Sequence, residues 1–190
     1  MPWTTIGLAF AAGQNPYAAL FLMAVLARSS DVEFALQSPF DLLTHPAAIA
    51  ALFVLSGAQV FADKHPRWGQ LEGQISAVAR PVCAGLVVLG LLSLASVDVW
   101  LWLGLAVLAA TGSHFLRMRL RRLLATSMGG MGYFLLSLTL DSAALITGLL
   151  AVLVPIAGAA LGALMFAGAA FLPLRAMLNP NRNEQTSSSG

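Results

Sequence analysis

The chain has 190 residues, of which 58% are apolar and only 9% are charged, with Lys and Arg nearly balanced by Asp and Glu at a net charge of +2. Soluble domains carry about 25% charged residues, so this composition, with a mean hydropathy of +0.82, argues against a water-soluble enzyme and points to a membrane protein. A lone cysteine, Cys83, excludes an intrachain disulfide and a cysteine-cluster metal site, and within its apolar run it reads as a small buried hydrophobe.

A helix needs roughly 20 apolar residues to cross the hydrocarbon, and six stretches are candidates. The first covers residues 4–27 and is interrupted by Gly13-Gln14-Asn15-Pro16. Its Ala9-Phe10-Ala11 resembles a cleavage site, but no basic residue precedes Arg28, so the segment is read as a retained helix. The second and third cover residues 46–62 and 81–96; both are short and are expected to extend into their polar flanks. The fourth covers residues 99–116 and meets Thr111-Gly112-Ser113, a second expected interruption. The fifth, residues 131–154, follows Gly129-Gly130 and contains Asp141; residues 131–140 could also form a re-entrant segment if protein or water covers the backbone. The sixth opens at Pro155 and ends near Leu174, and residues 179–190 read as a disordered polar tail.

The charges orient these spans. Every basic residue except Arg28 falls beside the second-to-third connection, the fourth-to-fifth connection or the tail. The positive-inside rule makes that side cytoplasmic and places both termini there. The Gly-Leu-Ala-Phe-Ala-Ala of residues 7–12 returns as Gly-Leu-Ala-Val-Leu-Ala at residues 104–109. With three spans per half, the repeated halves enter the membrane from opposite sides, the arrangement of inverted-repeat transporters. The expected fold is therefore an all-α membrane bundle of six spans in a 3+3 repeat, with broken first and fourth helices. Residues 1–96 form one repeat and residues 97–178 the other.

Gly13-Gln14-Asn15-Pro16-Tyr17 resembles a G-x-N-x-Y signature, and Ala62-Asp63-Lys64-His65-Pro66 resembles an A-D-K-x-P signature. Together with Gly129-Gly130 they resemble the bacterial membrane family catalogued as domain of unknown function 4126. The resemblance implies a polytopic inner-membrane protein and supplies no activity. The family commonly has a glutamate where this chain has Gln59, and an acidic pair where it has Leu140-Asp141. A cation site resting on those acids would be altered here.

Several residues could carry chemistry. Asp141 sits in an apolar span, where an aspartate costs about 2.5–3.5 kcal/mol on insertion scales; such a residue pairs with something or faces water. It could serve a proton-coupled carrier or simply hydrogen-bond to Ser137 or Thr139. Gln14, Asn15 and Tyr17 flank Pro16, whose missing amide frees a carbonyl one turn earlier; the alternative is a kink that satisfies itself. Gln59 shares a helix face with Asp63, and Asp63 and Lys64 read as a gate or an interfacial anchor. His114 is a candidate proton relay or an interfacial residue. Arg117, Arg119, Arg121 and Arg122 could hold lipid phosphates or merely fix topology. Gly158 and Gly162 permit close helix packing. The histidines lack metal-ligand spacing, and no HExxH, Walker or G-x-S-x-G element occurs.

The expectation is a small transporter or channel-like protein of the bacterial inner membrane, with a polar site lined by Gln14, Asn15, Tyr17, Gln59 and Asp141. Its cargo would be a small cation or a proton-coupled solute. A lipid-handling protein and a non-transporting assembly subunit are the alternatives. No cofactor, metal or nucleic acid is implied, an enzyme has no support, and the expected partners are membrane lipids, with further copies of the chain as a second candidate.

Overall fold

The computed structural model describes residues 2–29, 35–64, 68–92 and 98–178, and every element among them is helical. In chain order they are α1 (Pro2–Gln14), α2 (Pro16–Arg28), a 3-10 helix (Phe40–Thr44), α3 (Pro46–Lys64), α4 (Trp68–Leu91), α5 (Val99–Leu153) and α6 (Pro155–Leu178). Among the described residues two segments, Gly73–Leu91 and Val99–Arg119, are long and apolar enough to cross a membrane; the apolar stretches Pro16–Arg28, Pro46–Ala62, Leu138–Leu153 and Pro155–Ala167 are shorter.

The break between α1 and α2 follows from two adjacent residues. Asn15 adopts an extended backbone (φ −140°, ψ 100°), and its Oδ1 accepts from the Ala18 amide at 3.0 Å. Asparagine is a preferred N-cap, and proline at the first helical position has its φ already set and lacks an amide that would go unused. The bend is sharp. Leu22 of α2 and Ala11 of α1 both lie against Gly148, although a straight helix would separate them by about 16 Å along its axis.

The second expected interruption is absent. Thr111, Gly112 and Ser113 are helical within α5, so the fourth helix is not broken there. The Ser113 hydroxyl donates to the Ala110 carbonyl one turn back at 3.0 Å, and Gly112 gives room to the Phe166 ring. Small residues at this point serve packing. Residues 131–140 are helical as well.

The 55 residues of α5 are assigned as one helical run, a length of about 82 Å if straight. The path is not straight. Arg117 and Asp141 touch at 2.9 Å, yet 24 residues of helix would hold them about 36 Å apart. The chain therefore doubles back between them, and α5 has two arms. One meets α1 at Gly13, which lies against Ala110 and Ser113; the other meets the α1–α2 bend at Gly148.

The interior is built of small residues. Ala9, Ala11, Ala12, Ala19, Ala84, Ala106 and Ala110 share one apolar cluster, and Leu8, Leu20, Met23, Val87 and Leu91 anchor a second. Gly162 faces the Phe10 ring, where an added Cβ would come within 2.6 Å, so α6 packs on α1 at that point. Beside this apolar interior, Asn15, Arg80, His114, Arg117 and Asp141 are also buried, while Phe53, Phe61, Val78, Trp100, Phe115 and Leu164 are exposed. A surface of this kind suits an apolar solvent or a partner.

Candidate functional site

In an uninterrupted helix the carbonyls of Gly13 and Gln14 would accept from the amides of residues 17 and 18. The bend redirects the Ala18 amide to the Asn15 side chain, and both carbonyls turn to buried arginines instead. Arg80 Nη1 donates to the Gly13 carbonyl at 3.1 Å, and Arg117 Nη1 donates to the Gln14 carbonyl at 2.7 Å. Two guanidiniums thus close the C-terminal end of α1, where helix carbonyls and the negative end of the dipole favour cations. Their exposures are 1% for Arg80 and 2% for Arg117, so neither charge is seen by solvent.

Each arginine has a further partner. Arg117 Nη2 donates to Asp141 Oδ1 at 2.9 Å, a buried ion pair between the two arms of α5. Arg80 Nη1 lies 2.6 Å from His114 Nδ1. An arginine can only donate, so Nδ1 is the acceptor and the ring proton sits on Nε2, a tautomer assigned from the hydrogen bond. The cluster therefore runs from His114 through Arg80 to Gly13, and from Gln14 through Arg117 to Asp141. Two buried oxygens in it, Gln14 Oε1 and Asp141 Oδ2, lack a hydrogen-bond partner.

A groove of about 600 Å³ between α4 and α5 ends on this cluster. Gly73, Gln74 and Ala77 line one side, and Thr111, His114, Phe115 and Met118 line the other. Pro81 stands inside α4 and removes the amide that would bond the Ala77 carbonyl in the groove wall. Among the described residues no group of three or more His, Cys, Asp or Glu comes together as a metal site.

The residues singled out from the sequence fall in different places. Gln14, Asn15 and Asp141 meet at the bend, with the Asn15 side chain committed to capping α2. Tyr17 is half-buried in the first turn of α2. Gln59 is buried on α3, where its Nε2 donates to Ser76 Oγ of α4 at 3.4 Å. His114 is buried within the bundle, against Arg80. Arg117 is turned inward and cannot offer its charge to a lipid phosphate, whereas Arg119 is exposed. The side chains of Asp63, Lys64, Arg121 and Arg122 lie outside the described residues.

Arg80 was missed. From sequence it flanks the third span and counts only toward orientation, yet α4 begins at Trp68 and carries Arg80 into its middle. The apolar run continuing on both sides of it, through Ile75-Ser76-Ala77-Val78-Ala79 and beyond Pro81, was the available signal.

The sequence profile described as "Domain of unknown function (DUF4126)" matches residues 3–175. The chain belongs to this family. The match takes in all the residues of the bend cluster, so the arginine-closed bend lies wholly within the DUF4126 domain. No curated protein and no solved structure matches the chain.

Proposed function

We propose that this DUF4126 protein is a small multi-pass membrane transporter whose solute site is the bend between α1 and α2. The observation that carries the reading is the buried Arg117–Asp141 pair at a broken helix, with Asp141 Oδ2 and Gln14 Oε1 left unpartnered beside it. Intramembrane ionisable residues are expensive and are retained where solutes or protons pass. Interrupted helices supply backbone polar groups for such sites.

In this reading the chain crosses the bacterial inner membrane six times, with both termini cytoplasmic and its halves inverted. The repeated segments support an axis between the halves, because Ala9, Ala11 and Ala12 share a cluster with Ala106 and Ala110. The site is not symmetric: one half contributes the bend and Arg80, and the other contributes Arg117, His114 and Asp141. The inward turn of Arg117 favours this site over a lipid-headgroup clamp.

The test is reconstitution into liposomes with radiolabelled small solutes outside and a pH dye inside. Saturable uptake by the natural chain, at least tenfold reduced in Asp141→Asn, is the expected result. Uptake equal to that of empty liposomes, or unaffected by Asp141→Asn, ends the proposal.

A further inference from the structure

We infer that the ligand of the bend is an uncharged solute presenting paired N–H or O–H donors, of the amide, urea or polyol class. This rests on the reading of the bend as a solute site and adds what the solute must be. The argument starts from what the cluster offers. Asp141 Oδ2 and Gln14 Oε1 are acceptors, both are buried, and both belong to residues held by the same Arg117 guanidinium. A buried acceptor without a donor is costly, so a ligand that serves these two oxygens must bring donors.

Charge narrows the class further. An anion brings acceptors, cannot serve either oxygen, and meets the Asp141 carboxylate. A cation brings donors but arrives where Arg80 and Arg117 already place two guanidiniums around adjacent carbonyls. The Arg117–Asp141 pair is neutral as a unit. A neutral donor satisfies both oxygens and adds no charge to a site of low dielectric, where an added charge is most expensive. The groove between α4 and α5 reaches the cluster at His114 and is lined by neither Gln14 nor Asp141. It ends on His114, one hydrogen bond from Arg80, which in turn holds the Gly13 carbonyl. Its walls, with Gly73, Ala77, Phe115 and Met118 beside Gln74 and Thr111, are mostly apolar and present no carboxylate or ammonium to a passing solute.

The experiment uses the full chain in lipid nanodiscs and saturation-transfer NMR with five probes at equal concentration: urea, acetamide, glycerol, methylammonium and acetate. At least one neutral probe binds saturably, and both ions bind more weakly. Gln14→Leu removes one acceptor and leaves the main-chain carbonyl to Arg117, so affinity for the neutral probe falls by about tenfold, the size of one lost hydrogen bond. Asp141→Asn retains an oxygen for Arg117 but replaces the accepting Oδ2 with an amide donor, so the second acceptor is lost and binding is abolished. Tighter binding of methylammonium or acetate than of every neutral probe overturns the inference. So does the absence of neutral binding, with the two oxygens served by a bound water only. Binding of a neutral probe without liposome uptake removes the transport reading and leaves this inference standing. Uptake that ignores Gln14→Leu removes the inference and leaves transport.

Discussion

Arg117 and Asp141 are each other's counter-charge in a place water does not reach. Removing one partner of a buried pair strands the other, at a cost of about 3–5 kcal/mol, whereas replacing both with apolar residues is far milder. Arg117→Met and Asp141→Leu should therefore each destabilise the fold by roughly that amount, and the double substitution by less than either alone. Detergent-phase unfolding followed through tryptophan fluorescence measures all three; strict additivity would show that the pair is not coupled. Asn15→Ala tests the cap: loss of its bond to the Ala18 amide should cost about 1 kcal/mol. The cap was legible from sequence, because Asn followed by Pro is a local signature that needs no tertiary information. The partner of Asp141 was not. An isolated aspartate in an apolar run announces that it needs one, but the arginine that answers is 24 residues away and was counted as a topology signal. Charge-bias rules register a residue's position along the chain and are blind to the direction of its side chain.

At the scale of elements, glycine carries two opposite meanings that one sequence cannot separate. Gly13 and Gly162 sit where helices touch: a Cβ on Gly13 collides with Ser113 Oγ, and one on Gly162 comes within 2.6 Å of Phe10. Gly57, Gly73 and Gly104 face open space. Gly162→Leu should destabilise by about 1–3 kcal/mol through overpacking, while Gly104→Ala should be neutral or stabilise by about 0.5–1 kcal/mol, the usual gain from alanine in a helix. Parallel unfolding curves decide this, and a destabilised Gly104→Ala would show an unrecognised contact there. The same ambiguity explains the expected break at Thr111-Gly112-Ser113 that does not occur. Glycine and serine can interrupt a helix or let another helix approach, and here the Phe166 ring occupies the space that Gly112 leaves.

For the whole molecule, the helical class and the approximate segments could be read from hydropathy alone, since a period and a length are local properties. The reversal within α5 was legible as the basic connection between the fourth and fifth stretches; what could not be read was that helix continues through it to Leu153 and that Arg117 and Asp141 pair across it. The six-crossing arrangement is open to a direct measurement. On a Cys83→Ala background, single cysteines replacing Leu42 and Asp98 should react with a membrane-impermeant maleimide applied outside intact cells. Cysteines replacing Trp3 and Arg119 should react only after permeabilisation. Labelling of the Trp3 position from outside would mean that α1 and α2 return to one face, and the inverted arrangement would be withdrawn.

The Gln14 carbonyl and the guanidinium that holds it are 103 residues apart, so all of that intervening chain leaves the ribosome before the bend between α1 and α2 can be closed. In the proposed membrane setting, the Gly13 and Gln14 carbonyls would until then lack the guanidiniums that hold them in the fold. Biogenesis of this protein should thus require the insertion machinery to shelter its beginning until its later half arrives. Nascent chains truncated ahead of Arg117 are expected to remain crosslinked to that machinery or to be degraded, whereas chains extended past Asp141 are released into the lipid.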